Sequence, residues 1–227
     1  MKFTWVKWST LPVVVLMAGS MALAQDQSGS QSSGQSQSSP APAAQPAPAQ
    51  KPDPSIAQRK ENQQDRIANG VKSGQLTAGE TAKLEKKEAA INGETKADRA
   101  ANGGKLTAAE KAKINKQQNS LSKQIHTDKT NSNTAHYGNN KVDQRRENQQ
   151  DRIAQGIKSG KLTAGETAKL ENQQKGINQQ VAADRKANGG KLTTGEKKQI
   201  NHEQNQASKN IHQKKHNAAT QATPKNP

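Results

Sequence analysis

Gly74-Gln75-Leu76-Thr77-Ala78-Gly79-Glu80 is the stretch on which the fold turns. Thr-x-x-Glu is a capping box. The threonine hydroxyl accepts from the backbone N–H three residues on, and the glutamate reaches back to the threonine N–H. A glycine just upstream supplies the backbone freedom that ends the preceding helix. The same element returns as Gly104 to Glu110, Gly160 to Glu166 and Gly190 to Glu196, so Thr77/Glu80, Thr107/Glu110, Thr163/Glu166 and Thr193/Glu196 mark four helix starts.

Working outward, Glu61-Asn62-Gln63-Gln64-Asp65-Arg66-Ile67-Ala68 recurs as Glu147-Asn148-Gln149-Gln150-Asp151-Arg152-Ile153-Ala154, an offset of 86 (147 minus 61). The offset holds without a gap, aligning Leu76 with Leu162, Leu106 with Leu192, Ile114 with Ile200 and Ile125 with Ile211. This is a tandem duplication, and a repeat constrains the fold before any single element does. Apolar residues spaced by four and seven, such as Ile67 and Val71, Leu84 and Ile91, or Ile114, Leu121 and Ile125, each keep to one helical stripe. Strand-forming residues are too sparse for a sheet. The chain therefore reads as all-α, two tandem three-helix repeats over 56–129 and 143–217 with a polar linker at 130–142 between them. In the first copy the helices are expected near 56–70, 77–102 and 107–128.

The flanks read differently. Lys2 and Lys7, a short apolar run from Leu11 to Gly19 and the Ala22-Leu23-Ala24 site make 1–24 a secretory signal peptide, and the protein is expected in the periplasm or secreted. No later segment is apolar enough to span a bilayer. Gln, Ser, Pro and Ala dominate 25–55, which cannot recover the entropy cost of folding and reads as a disordered tether; 218–227 reads as a disordered tail. The chain has no cysteine, which removes both disulfides and a lipid-modified cysteine.

Phe3, Trp5 and Trp8 leave with the signal peptide, so Tyr137 is the mature chain's one aromatic residue. Without Lys2 and Lys7, 33 of the 35 basic residues stand against 19 acidic ones, a net of +14. Anionic polymers of the envelope are the natural partner class, with Lys72, Lys105, Lys191, Arg66 and Arg152 as contact candidates. Charge spread through helices, without an arginine cluster or base-stacking aromatics, points to diffuse contact and away from sequence-specific nucleic-acid reading.

Stability points to a partner too. Each copy has about nine large aliphatic residues, worth on the order of 1.5–3 kcal/mol each when buried. Ordering costs near 1.5 kcal/mol per residue over about 70 residues, so helix propensity and packing between copies or between chains must supply the rest. The expectation is a marginal, elongated helical protein, with self-association or a homo-oligomer as the other partner reading.

Chemistry is scarce. The loop before Glu80 resembles an EF-hand at its glycine, apolar residue and glutamate, but Asn69, Val71 and Ser73 stand where calcium needs carboxylates. His212 and His216 are spaced i, i+4, as two metal ligands on one helix face would be, but the first copy has Thr130 in place of the second histidine. A metal-responsive binder built on these hairpins or histidines is the alternative reading. No nucleophile motif, zinc motif or phosphate loop is present, and Glu85-Lys86-Lys87-Glu88 has the pattern of a solvated helix surface. No enzyme and no cofactor are expected.

Asn-Gln-Gln-x-Arg-Ile-x-x-Gly at Asn62 to Gly70, Gly-x-Leu-Thr-x-x-Glu at Gly74 to Glu80 and Ala-Asn-Gly-Gly-Lys-Leu-Thr at Ala101 to Thr107 resemble a group of proteins exported by Gram-negative bacteria. The resemblance covers both copies and implies the compartment and the repeat unit, with no activity attached. The Gly-x-Leu-Thr-x-x-Glu element is also similar to short helical hairpins that mediate oligomerisation.

Cleavage before Gln25 is directly testable. Mass spectrometry of the exported protein should find a chain starting at Gln25, and an intact Met1 form held in the inner membrane would overturn the signal-peptide reading.

Overall fold

The computed structural model describes residues 55–221; the span read as a signal peptide, nearly all of the span read as a tether, and residues 222–227 lie outside the described residues. Among the described residues there are six helices and no strand: α1 Ile56–Lys72, α2 Ala78–Ala101, α3 Ala108–Thr130, α4 Lys141–Lys158, α5 Ala164–Ala187 and α6 Thr194–Lys215. The protein is all-α.

Local chemistry accounts for the boundaries. All four capping boxes close in both directions, at Thr77–Glu80, Thr107–Glu110, Thr163–Glu166 and Thr193–Glu196. Gly74 and Gly160 sit at φ 70° and 66°, a left-handed conformation that lets the chain reverse after α1 and α4. The N–H groups of Leu76 and Leu162 then donate back to the carbonyls of Gly70 and Gly156, at 3.0 Å each, which turns both leucines into the core.

The linker stretch contributes more structure than its composition suggests. Asn140 caps α4, which begins at Lys141, inside the span read as linker. Asn131 donates to the second carboxylate oxygen of Glu80, and the Ala135 N–H bonds the Gly74 carbonyl. The second copy repeats both contacts 86 residues on, with Asn217 on Glu166 and the Gln221 N–H on the Gly160 carbonyl. A short extended segment after the third helix thus ties back to the turn before the second.

The copies do not stack end to end. Helix α2 packs most extensively on α5, and α1 on α4, so the first two helices of each copy meet their own counterparts. That is the isologous pattern of a two-fold dimer, realised within one chain. The start of α2 lies against the later half of α5, where Thr77 and Gly79 share a shallow pocket with Lys175 and Asn178, so the two helices run in opposite senses. Helix α3 touches only α1 and α2, and α6 only α4 and α5, which leaves them as outer flanks. One apolar core joins both copies, holding Ile67, Leu76, Leu84, Ile114 and Ile125 together with Ile153, Ile157, Leu162, Leu170 and Ile211. Packing between copies supplies what each aliphatic set lacks. The copies pair side by side for that reason.

The capping boxes are not equivalent. At Thr77 and Thr163 the hydroxyl also donates to the partner glutamate, at 2.7 and 2.9 Å. Replacing either threonine by alanine should cost about 1 kcal/mol or somewhat more, and Thr107→Ala or Thr193→Ala should cost less. Thermal melting followed by circular dichroism checks the order; four parental melting curves would mean the boxes do not stabilise the helix starts.

Candidate functional site

A cleft of about 1090 Å³ opens on the second copy. Three segments build it. The first turns of α4 bring Asn140, Lys141, Val142 and Arg145; the end of α5 and the following turn bring Arg185, Lys191 and Leu192; and α6 brings Lys197, Asn201 and Asn205. Five of these side chains are cationic and none is acidic. Gly189 and Gly190 take φ 60° and 88°, which turns the chain so that Lys191 stands between the α5 end and the α6 start.

Hydrogen bonds hold the walls. Arg145 donates to the Asn205 and Asn201 carbonyl oxygens at 2.6 and 3.3 Å, bridging α4 to α6. Both amides keep their NH₂ ends as donors. Arg185 pairs with Asp143 at 2.8 Å, and Asp143, 1% exposed, also takes Arg146 at 2.8 Å. Despite the burial that opposes it, these arginines and Asn140 hold the Asp143 carboxyl below its usual range. Among the described residues no ion pair engages Lys141, Lys191 or Lys197.

The duplication repeats the cleft residues in the first copy as Arg59, Arg99, Lys105, Leu106, Lys111, Asn115 and Asn119. Arg59 donates to Asn119 at 2.6 Å, as Arg145 does to Asn205, and Gly103 and Gly104 take φ 60° and 89°. Four positions differ, with Pro54, Ser55, Ile56 and Ala57 where the second copy has Asn140, Lys141, Val142 and Asp143. The exchanges at Lys141 and Asp143 offset each other in formal charge. No protein family, curated protein or solved structure matches the chain.

Of the contact candidates named from sequence, Lys191 lines the cleft and Lys105 holds the equivalent position. Lys72 is exposed at the end of α1, away from both. Arg66 and Arg152 serve a different purpose: each donates at 3.2 Å to a carbonyl, Ser122 or Ser208, and fastens the first helix of its copy to the third. Sequence reading missed Arg145, Arg185, Lys141 and Lys197. Their repetition at an offset of 86 was visible, but many other cations repeat too, and only the fold separates them. The His212 and His216 rings stack 4.2 Å apart, with His216 Nδ1 2.8 Å from the His212 carbonyl oxygen. No group of three or more metal-ligating side chains gathers among the described residues. Glu80, the EF-hand candidate, spends one oxygen on Thr77 and the other on Asn131 and Asn133.

The interior holds buried carboxylates, two of them where the copies meet. Glu85, Glu88 and Glu171 are each 0% exposed, which corrects the reading of Glu85 and Glu88 as solvated surface, while Lys86 and Lys87 between them are exposed. Gln64 donates to Glu85 at 3.1 Å and Gln150 to Glu171 at 3.0 Å, while the other oxygen of each glutamate has no hydrogen-bond partner. Gln221, from the returning C-terminal segment, donates to the Gln64 oxygen at 2.9 Å and completes the chain. Burial pushes Glu171 up to about 8 against the opposing Gln150 bond. It pushes Glu88 up to about 7 against the nearby Lys60 charge. Glu85 is raised well above its ordinary value, by burial first and then by the charges of Glu88 and Glu171. Burial thus favours the neutral form of all three carboxyls.

A pH signature follows. Below about 4.5, the ordinary value, folded and unfolded chains both keep these protons and the groups contribute nothing. Between about 4.5 and about 8 the unfolded chain releases protons that the folded chain retains, so stability falls as pH rises, at up to about 1.4 kcal/mol per unit per proton. Glutamine mimics the protonated side chain. Glu171→Gln should therefore match the parent near pH 5 and melt at a higher temperature near pH 8; equal melting curves at both pH values would place a charged Glu171 in the fold.

Proposed function

We propose that the protein is an exported, non-enzymatic binder of acidic polysaccharide in the cell envelope, in the periplasm or outside it. The observation that carries this reading is the cleft, where five cations and three asparagine side chains converge with no carboxylate among the lining residues. Cations attract the sulfate, phosphate or carboxylate groups of such a polymer, and the amides suit its hydroxyls. The apolar floor is small, only Val142 and Leu192, which fits a hydrophilic chain better than an enclosed small molecule.

Nucleic acid fits less well. Single-strand binders stack bases on aromatic side chains, and the one mature aromatic, Tyr137, packs under the Arg146 guanidinium 5.0 Å from its ring centre. Enzymatic chemistry has no support either. The strongly shifted acids, Glu85, Glu88 and Glu171, lie in the packed interface and line none of the surface openings described. No helix among the described residues is long and apolar enough to cross a membrane.

Retention of the mature protein on immobilised heparin, a stand-in acidic glycan, tests the reading. Binding at about 50 mM salt should weaken steeply towards about 200 mM as screening shortens the reach of the cations. Flow-through at 50 mM, or retention indifferent to salt, would overturn it.

A further inference from the structure

We propose that Asp143 is the positioning residue of the cleft: a buried carboxylate that never meets the polysaccharide but holds Arg185 where the polymer's anionic groups arrive. This rests on the polysaccharide reading of the cleft and adds what keeps the site in shape. Asp143 lies in the first turn of α4, 1% exposed, and is not among the residues that line the opening. Arg185, in the last turn of α5, does line it, with its side chain 26% exposed. Its Nη2 donates to Asp143 Oδ2 at 2.8 Å. The same carboxylate accepts from Arg146 Nη1 on Oδ1 at 2.8 Å and from the Asn140 amide on Oδ2 at 2.6 Å. Asn140 is both the cap of α4 and a lining residue. One buried group thus fixes two members of the cleft wall, one at the start of α4 and one at the end of α5.

Charge alone would select against this arrangement. A carboxylate beside a polyanion site lowers the attraction there, and a cleft that worked by field strength only would do better without it. Two features offset that loss. Arg146, 8% exposed, shares the carboxylate, so the three groups together still carry one positive charge. Arg146 is committed to the interior: it donates to Asn178 of α5 at 2.7 Å, lies over the Tyr137 ring and does not line the cleft. Arg185 is therefore the member of the trio that presents charge at the opening. The second feature is order. A long side chain that must be immobilised on binding costs about two- to tenfold in affinity, and a side chain already held in place avoids that cost. An acid that served Arg146 alone would affect stability when removed; one that holds Arg185 affects binding.

Heparin binding by the mature chain, measured by titration calorimetry between about 50 and about 200 mM salt, tests the role. Asp143→Asn keeps the shape of the side chain and makes the protein more positive by one charge. It should nevertheless weaken binding about two- to tenfold and lower the steepness of the salt dependence by about one ion pair. Arg185→Gln should do the same, and adding Asp143→Asn to it should change nothing further, because the two residues act as a unit. Glu147→Gln removes an exposed acid of the same helix outside the cleft and should leave binding at the parental level or tighter. Since Asp143→Asn also strips the counter-ion from buried Arg146, the comparison is repeated on an Arg146→Gln background, which should bind as the parent does until Asp143→Asn is added. Circular dichroism confirms that each variant is folded. An Asp143→Asn variant that binds as tightly as the parent or tighter, or that weakens Arg185→Gln by as much again, would overturn the positioning role and leave polysaccharide binding standing. So would parental affinity in Arg185→Gln. A parent that does not bind heparin would overturn both.

Discussion

Leu84 and Leu170 enter one apolar cluster with residues of both copies because α2 crosses α5, and the rest of the structure depends on that crossing. Neither copy has the aliphatic surface to order about 70 residues by itself. Pairing like helices lets each leucine and isoleucine face a second set instead of water, and it frees α3 and α6 to work as flanks. The crossing also buries Glu85 and Glu171, at equivalent positions in the two copies, so the apolar gain comes with a polar load. The structure handles that load by raising their pKa and by seating one glutamine on each.

What could be read from the sequence was the chemistry that acts over a few residues. The four capping boxes and the turn glycines lie where Thr-x-x-Glu and Gly placed them, because an N-cap is decided by a hydroxyl, a carboxylate and three residues of backbone. The helix periodicity of Leu84 and Ile91 was visible for the same reason. Which surfaces meet was not. Gln63, Gln118, Gln149 and Gln204 look like solvated polar residues, yet all are buried; Gln63 and Gln149 donate to the carbonyls of Gln118 and Gln204, and these two return to the carbonyls of Ile56 and Val142. A glutamine's hydrogen bond to a carbonyl some 55 residues away has no local signature. The cleft was illegible on the same ground, since Arg145, Arg185 and Lys197 come from three different helices.

These glutamines explain how so polar a chain builds a specific core. Aliphatic packing alone, in helices this rich in alanine and lysine, would tolerate sliding of α3 along α1. The bonds from the Gln63 amide N–H to Gln118 and Ser122, and from the Gln118 amide N–H back to Ile56, form in one register, because a shift by one turn would strand these buried donors as well as the amide oxygens that already lack partners. The second copy repeats the lattice with Gln149, Gln204 and Ser208. The flank carrying each cleft wall is therefore fixed against the helix carrying the other. Arg145 and Asn205 can then meet at 2.6 Å across the opening.

The interior positions that differ between copies show how closely charge is balanced under the clefts. In the first copy Lys60 is half-buried; burial lowers its pKa, while Glu88 and Glu85, on α2, raise it. In the second copy the position of Glu88 is Gln174, which is neutral and bonds Gln149 instead. The cation there is Arg146, and its counter-charge has moved into its own helix as Asp143, where the first copy has Ala57. An arginine can share that carboxylate because Arg185 reaches its second oxygen, so one buried Asp143 answers two guanidinium groups. Moving the counter-ion from α2 to α4 thus couples the interior of the second copy to its cleft: Asp143 sets the position of Arg185, whereas Arg99 in the first copy has no such anchor at Ala57. The position of Arg185, unlike that of Arg99, therefore depends on a carboxylate that protonation at low pH would release.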